Sequence, residues 1–279
     1  MEVKVLGTVS PYCKEEKNCP GYLVINDKDK VLLDCGNGIT RNLKLPDDLE
    51  NLTIIISHLH KDHYGDLLTI GYASYVFHNL GYLPSRIKVY IPKPNMYKAS
   101  ESYTDNDGWG ASRIVEKTLI DYEFLQQFGD EQYLEFITYD ENTELEIGDL
   151  QISFSKNPHQ INTYSTKIVD KEKTFVYSGD TGYKNNTLLE FAKEADVLLC
   201  ESTFLRGQTR ASDNHLYAYE AAKIAKDANV RQLVLTHFFP EIEREDYVKE
   251  AKTIFENTSF AEEGKVLKLG GIKWKKEDL

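Results

Sequence analysis

The sequence lacks the features that mark membrane and secreted proteins. No apolar run approaches the roughly 18 residues that span a bilayer, and the chain does not start with a basic segment followed by an apolar one, as a signal peptide would. Four cysteines among 279 residues are too few for a disulfide framework. We therefore expect a soluble, cytoplasmic protein without a membrane partner.

Basic residues are few relative to acidic ones. Lys and Arg total 33 against 45 Asp and Glu, which gives a formal net charge of -12. Long nucleic acids draw much of their binding free energy from the neutralisation of phosphates by basic side chains. The charge balance therefore counts against tRNA or duplex DNA as a partner.

Short apolar runs that end in Gly or Asp dominate the chain and predict β-strands. Leu52–Ile56 is a continuous, largely β-branched run, typical of a strand buried on both faces. The second half repeats this rhythm, with helices predicted at Leu188–Ala195, Tyr217–Asp227 and Arg244–Asn257. We therefore predict a single α/β domain over residues 1–279, with paired sheets between helical layers.

Residues 78–128 depart from this pattern and are rich in Tyr, Asn, Ser and Gly. A helix is predicted at Ser112–Gln127, and the whole segment is predicted to be an insertion or lid beside the core. Its Tyr97, Tyr103 and Trp109 could stack on a nucleotide base or form a dimer interface. A local hydrophobic core for the insertion is the alternative.

Histidines cluster directly after the strand predicted at Leu52–Ile56. His58, His60 and His63 share the motif HLHKDH with Asp62, and loops at strand ends are where rigid scaffolds place functional groups. Imidazole and carboxylate groups suit zinc, iron or manganese. The motif predicts a metal site, and a polar loop with incidental histidines is the weaker alternative. Asp62 is also predicted to cap a helix that begins near His63.

Three further candidates follow other predicted strands. His159 comes after Pro158, Asp180 lies in SGDTG, and His237 ends VLTH. A lone histidine at a strand end is more often structural than a ligand. Three residues at equivalent strand ends, beside the HLHKDH cluster, would instead complete a site for two metal ions.

The ordered motifs HLHKDH, PHQ, SGDTG, CESTF, NHLYAYEAA and LTHF resemble those of the metallo-β-lactamase superfamily, and within it the ribonuclease Z-like branch. The resemblance covers nearly the whole chain. It implies an αββα sandwich with two zinc ions, or manganese in their place. It assigns one ion to His58, His60 and His159, the other to Asp62, His63 and His237, and a bridging role to Asp180.

The resemblance also implies that Asp62, Glu201 and His215 are catalytic. In ribonuclease Z-like enzymes a glutamate and a histidine in these segments pair near the scissile phosphate, and the histidine contacts phosphoryl oxygens or helps to protonate the leaving group. The alternative is a structural carboxylate and a helix N-terminal residue. Members that process tRNA usually carry a histidine where this chain has Cys200, which puts a tRNA activity in doubt.

Ribonuclease Z enzymes that mature tRNA typically carry a long basic arm between the counterparts of His159 and Asp180, and here that segment predicts two strands and a short turn. The segments SPYCKEEKNCPGYLV and LDCGNG look like those of anti-Pycsar enzymes of phages and their bacterial relatives. That resemblance implies hydrolysis of 3′,5′-cyclic nucleotides to 5′-monophosphates in a bacterial or host cytoplasm. Tyr164 is then a candidate contact for the base or phosphate, with core packing as the alternative.

Several alternatives stay open. The chain could be a ribonuclease Z-type tRNA 3′ endonuclease, a phosphodiesterase acting on ribose cyclic phosphates, or a β-lactamase-like or thioester hydrolase. A noncatalytic binder that sequesters a nucleotide is an alternative of another class. The resemblance implies a homodimer, and His78 is read as structural or dimer-facing. Cys13 and Cys19 are either free thiols in a reducing cytosol or a metal-binding pair.

Overall fold

Two β-sheets pack face to face through apolar side chains. The computed structural model describes residues 1–94, 121–129, 132–171, 173–210, 213–269 and 274–276. Within these ranges the sheets have eight and seven strands, and helices pack on the outer face of each sheet. This arrangement confirms the predicted αββα sandwich.

The first sheet combines strands from both ends of the described chain. Its strands are β1 (Glu2–Gly7), β2 (Gly21–Asn26), β3 (Asp29–Leu33), β4 (Leu52–Ile55), β5 (Ile87–Pro92), β6 (Leu134–Tyr139), β14 (Lys265–Lys268) and β15 (Trp274–Lys276). They lie in the order β15-β14-β1-β2-β3-β4-β5-β6, and β3 to β6 run parallel. β4 is buried along its length, as its continuous apolar run predicts.

The second sheet is formed by the middle of the chain. Its strands are β7 (Glu144–Ile147), β8 (Leu150–Lys156), β9 (Tyr164–Asp170), β10 (Lys173–Tyr177), β11 (Val197–Glu201), β12 (Gln232–Thr236) and β13 (Thr258–Phe260). They lie in the order β13-β12-β11-β10-β9-β8-β7, and β10 to β13 run parallel. Parallel neighbours bring their carboxyl ends to one edge of a sheet, where ligands commonly bind in α/β folds.

Helices cover the outer faces. The helical segments are α1 (Lys61–Tyr64), α2 (Leu67–Asn79), α3 (residues 121–129), α4 (Leu188–Phe191), α5 (Ala218–Asp227) and α6 (Arg244–Lys252). α2 and α3 place Ile70 and Leu125 against the first sheet, while α5 and α6 place Ile224 and Tyr247 against the second. Among the described residues, no helix is long and apolar enough to cross a membrane.

Two predicted helices are shorter than their sequence pattern indicates. α6 ends at Lys252 instead of Asn257, because the chain turns there to let β13 pair with β12, and the Leu233 amide donates to the Asn257 carbonyl at 3.0 Å. α4 ends at Phe191. Glu194 then adopts a left-handed backbone conformation, with φ 58°, that turns the chain toward β11.

The prediction that Asp62 caps a helix starting near His63 is wrong. α1 begins at Lys61 with His60 at its N-cap, and Asp62 lies inside the helix. The Asp62 carboxylate instead accepts a hydrogen bond from Ser10 Oγ, at 2.7 Å. Its side chain is therefore directed at the loop between β1 and β2 and not at the amides of its own helix.

Part of the predicted insertion at residues 78–128 belongs to the core. β5 lies between β4 and β6 in the first sheet, and its Ile87, Val89 and Ile91 are buried. The alternation of apolar and polar residues in IKVYI is the strand signal in this segment. The prediction that residues 87–92 lie beside the core is therefore wrong.

The remaining expectations for this segment fall largely outside the described residues. This applies to the aromatic residues Tyr97, Tyr103 and Trp109 and to residues 112–120 of the predicted helix. Residues 121–129 are helical, which agrees with the end of the Ser112–Gln127 prediction. The proposed lid stays a prediction.

Candidate metal centre

The predicted ligands come from loops that follow strands of both sheets. His58, His60, Asp62 and His63 follow β4 of the first sheet, while His159, Asp180 and His237 follow β8, β10 and β12 of the second. The structure brings all of these residues together. The packing of one sheet on the other therefore sets the geometry of the site.

The first group of predicted ligands contains His58, His60, His159 and Asp180, whose ligand atoms all lie within 4.8 Å of one another. Nε2 of His58 is 2.9 Å from Nδ1 of His60, which is 3.3 Å from Nε2 of His159. Oδ2 of Asp180 is 3.5 Å from Nε2 of His58. This group has the donor atoms that a zinc-type ion takes in proteins.

The second group contains Asp62, His63 and His237, again within 4.8 Å. Nε2 of His63 lies 3.6 Å from Oδ2 of Asp62 and 3.3 Å from Nε2 of His237. Oδ1 of Asp180 is 3.3 Å from the His63 nitrogen and 3.0 Å from the His237 nitrogen. Asp180 therefore directs one oxygen at each group, the geometry expected of a bridging carboxylate.

Hydrogen bonds on the far side of the rings determine which nitrogen faces the centre. Nδ1 of His63 donates to Oδ2 of Asp34 at 2.7 Å, and Nδ1 of His159 donates to the Asn214 carbonyl at 3.0 Å. With Nδ1 protonated, Nε2 of each ring presents a lone pair inward. Partners of this kind commonly orient metal-binding histidines.

Two hydroxyl groups orient the rings of His58 and His237 in the same way. Ser57 Oγ donates to Asp34 at 2.9 Å, so it accepts from Nδ1 of His58 at 3.0 Å. Thr203 Oγ1 donates to Glu201 at 2.9 Å, so it accepts from Nδ1 of His237 at 2.8 Å. Each hydroxyl therefore links a buried carboxylate to a predicted ligand and orients the histidine ring.

Asp34 is the functional residue that the sequence interpretation missed. Its carboxylate is fully buried and accepts hydrogen bonds from the Ser57 amide at 2.6 Å and the Tyr177 hydroxyl at 2.6 Å, besides those from Ser57 Oγ and His63. Asp34 directly follows β3 in the segment LDCGNG, which was interpreted only as part of the anti-Pycsar resemblance. An acidic residue at the end of a buried strand was the available signal.

The donor set fits divalent cations. Oδ1 of Asp180 is a buried carboxylate oxygen with no hydrogen-bond partner in the described parts of the chain, which is costly unless another group satisfies it. Burial lowers the pKa of the His58 and His159 rings well below the usual range and that of His60 to about 4. Neutral imidazoles with facing lone pairs are the form that binds metal.

Glu201 and His215 form a pair beside the two groups. Nδ1 of His215 lies 3.1 Å from Oε1 of Glu201, which also accepts from the Thr181 amide at 3.0 Å. Burial opposes protonation of His215, but the Glu201 and Asp180 carboxylates outweigh it and raise the pKa of His215 to about 9. Distances would also allow Asp180, His215 and His237 to share an ion. The contact with Glu201 favours a separate role for His215.

Tyr164 packs in the core, as one of its two sequence interpretations predicts, and its contact with a substrate stays a prediction. Its ring is buried between the sheets and packs against Tyr139 at a centroid distance of 5.2 Å. Its hydroxyl donates to Oε2 of Glu141 at 3.2 Å. Tyr164 and His159 both line a cleft of about 510 Å³.

His78 lies away from the centre. Nδ1 of His78 donates to the Leu83 carbonyl at 2.9 Å, and the ring stacks on Tyr133 at 3.6 Å. These contacts support the structural interpretation of this histidine.

Residues 29–238 match the family model of the beta-lactamase superfamily domain. The chain belongs to the metallo-β-lactamase superfamily. The matched range includes every predicted ligand and the Glu201–His215 pair. Family membership and the converging ligand groups together identify a metal-dependent hydrolase of the metallo-β-lactamase fold.

Similar proteins include ribonuclease Z-like relatives. The probable metallo-hydrolase YhfI of Bacillus subtilis is 28% identical over 256 residues, covering 91% of this chain and 94% of its own. Its crystal structure matches 95% of this chain and 98% of that chain, with a TM-score of 0.79 and 27% identity. Ribonuclease Z of Archaeoglobus fulgidus is 26% identical over 299 residues, covering 94% of this chain and 95% of its own. The anti-Pycsar resemblance stays a prediction.

Replacement of the bridging carboxylate tests the two-ion assignment. We expect Asp180→Ala to lose both ions. Asp180 belongs to the first predicted group, and its Oδ1 lies against His63 and His237 of the second. Metal content per chain, measured by mass spectrometry after zinc loading and desalting, gives the readout. Asp196→Ala removes a buried carboxylate away from the centre and should keep both ions. Retention of both ions in Asp180→Ala would disprove the bridging role.

The Thr203 hydroxyl provides a second test. We expect Thr203→Val, which keeps the side-chain shape but removes the hydroxyl, to weaken the binding of one ion roughly 10- to 100-fold, because the His237 ring loses its orienting partner. Thr203→Ser should bind as the parent does. Competition with a chromophoric chelator measures both affinities, and parent-like affinities in Thr203→Val would exclude this role.

Proposed function

We propose that the chain hydrolyses small phosphodiesters, with 3′,5′-cyclic mononucleotides as the substrate class and 5′-monophosphates as the products. The observation that carries the proposal is the Asp180 carboxylate between two groups of predicted ligands, with a polar pair beside it. Nδ1 of His215 lies 3.7 Å from Oδ2 of Asp180. A phosphate at the centre would therefore lie within reach of His215.

Two divalent ions held by these groups would acidify the attacking water and offset the charge of the phosphate. The chain's own contribution is to hold the reacting groups in position. Glu201 occupies Nδ1 of His215, which leaves Nε2 to donate to a phosphoryl oxygen or to the leaving 3′-oxygen. The His215 side chain is 26% exposed, whereas that of Glu201 is 1% exposed. The histidine can therefore meet substrate while the glutamate orients it.

The size of the opening supports a small substrate. The cleft beside His159 has a volume of about 510 Å³, within the range typical of small-molecule sites. Two basic and two acidic residues line it, Lys93 and Lys156 with Asp140 and Glu141, and Lys93 pairs with Asp140 at 3.2 Å. We further propose Tyr164 as a wall of this cleft that contacts the base or phosphate.

Transfer RNA is the second candidate, because a ribonuclease Z is among the similar proteins. Two observations count against it. The segment between His159 and Asp180 consists largely of β9 and β10, which pair down to Asp170 and Lys173, so the described residues contain no arm there. The formal net charge of -12 also opposes the approach of a long polyanion.

The metals, the oligomeric state and the cellular location that we propose rest on the family resemblance. We propose two zinc ions, with manganese able to replace them, a homodimer, and a cytoplasmic site of action. Opening a cyclic nucleotide would end a signal, so a phage protein with this activity would counter a bacterial defence. A housekeeping phosphodiesterase is the alternative context.

Product analysis tests the proposed substrate. Zinc- or manganese-loaded protein is incubated with cyclic AMP, GMP, CMP and UMP, and separately with precursor tRNA. We expect metal-dependent formation of 5′-monophosphates and intact tRNA. The Asp180→Ala variant is the control for contaminating activity. Intact cyclic nucleotides would exclude the substrate class, and cleaved tRNA would identify an RNA-processing enzyme instead.

A substitution at His215 tests its catalytic role. We expect His215→Ala to keep both ions and to lower kcat by about 100-fold or more, because a positioned acid or hydrogen-bond donor contributes on that order. His78→Ala, which changes a histidine distant from the centre, should keep the parent rate. Metal content and steady-state kinetics are measured on the same samples. A parent-like rate in His215→Ala would rule out the role.

A further inference from the structure

The loop between β1 and β2 brings two thiols together. Sγ of Cys13 lies 3.8 Å from Sγ of Cys19, and both cysteines are free. Lys14 and Lys17 pair between them, with backbone hydrogen bonds of 3.1 and 2.9 Å. This tight turn holds the two thiols side by side.

A disulfide is within reach of this geometry. An S–S bond is about 2.05 Å long, so one sulfur must move by less than about 2 Å, a distance that a side-chain rotation covers. Cys13 is exposed and Cys19 is buried. The exposed thiol can meet an oxidant, and the buried one lies next to it, as a resolving thiol does.

The same loop contacts the predicted metal centre. Ser10 Oγ donates to Oδ2 of Asp62 at 2.7 Å. The Cys13 thiol and the Cys19 amide both donate to the Asn37 carbonyl, each at 3.0 Å. A Cβ added at Gly36 would lie 2.2 Å from the Asp62 carbonyl oxygen and 2.7 Å from Cβ of Cys19. Gly36 is therefore packed between Cys19 and the backbone of Asp62.

We propose that Cys13 and Cys19 form a reversible disulfide whose formation disturbs Asp62 and weakens the metal centre. A disulfide takes the Cys13 thiol away from the Asn37 carbonyl and tightens the loop that carries Ser10. Cytosolic disulfides of this kind are usually transient and redox-sensing. The disulfide itself does not depend on the proposed phosphodiesterase activity, whereas its effect on the centre rests on the predicted ligand role of Asp62.

The oxidant is a low-molecular-weight disulfide such as glutathione disulfide. The Cys13 thiolate attacks one of its sulfurs, breaks its S–S bond and releases one thiol. Cys19 then loses its proton and attacks the Cys13 sulfur, which releases the second thiol. The two cysteines lose two protons and two electrons in total, and the glutathione disulfide gains them as two thiols.

Disulfide mapping tests the pair without any activity assay. The metal-free and zinc-loaded full chains are equilibrated in glutathione buffers of graded redox ratio, quenched with acid, alkylated and analysed by peptide mass spectrometry. We expect a Cys13–Cys19 linkage that dithiothreitol reverses, with Cys35 and Cys200 alkylated as free thiols. Cys13→Ser should leave Cys19 reduced. A stable glutathione adduct at Cys13, or no oxidation of the pair, would overturn the proposal.

Zinc affinity tests the coupling to Asp62. We expect oxidation to lower the affinity for one zinc ion by about tenfold in the parent, as loss of an outer contact does, and to leave Cys13→Ser unchanged. Equal affinities of the oxidised and reduced parent would overturn the coupling. Zinc protection of both thiols from alkylation in Asp180→Ala would show that the pair binds metal and would overturn the disulfide proposal.

Discussion

The buried carboxylate of Asp180 is the group on which the centre depends. Its side chain is only 3% exposed and lies between ring nitrogens from both sheets. A buried charge is tolerated where opposite charge or hydrogen bonds replace its lost hydration, and Oδ1 has no hydrogen-bond partner among the described residues. Cations on both sides would satisfy the carboxylate and the facing lone pairs together. A metal site therefore explains the arrangement of the ligands better than a polar cluster without metal does.

Two further carboxylates organise the surroundings of this centre. Asp34 follows β3 of the first sheet and reaches the rings of the HLHKDH segment directly and through Ser57. Glu201 ends β11 of the second sheet and reaches His237 through Thr203. Each sheet therefore orients ligands through its own buried acid. The distance between the two groups then depends on how the sheets pack, because Asp180 of the second sheet faces residues that follow β4 of the first.

The sequence was sufficient for those parts of the site that are local. HLHKDH concentrates several predicted ligands in one turn after a recognisable strand, and the ordered motifs supplied the fold. Asp34 and Thr203 were not accessible in this way, because their partners lie 29 and 34 positions away and their residue types are common at strand ends. β5 was missed for a different reason. Its alternating pattern is short and lies within a polar segment, so the pattern alone does not identify a core strand. Its pairing with β4 and β6 in the sheet does.

The predicted ligand His58 and the proposed donor His215 differ in exposure. The His58 side chain is fully buried, whereas 26% of the His215 side chain is exposed. A donor to substrate must be reached from outside. Because Glu201 holds Nδ1 of His215, the ring can turn only its other nitrogen to an incoming phosphate. A compact diester could meet that nitrogen and the centre at once, whereas a long polyanion would approach a chain of formal net charge -12 whose described residues contain no arm between His159 and Asp180. The position of one histidine thus supports both the proposed chemistry and the proposed size of the substrate.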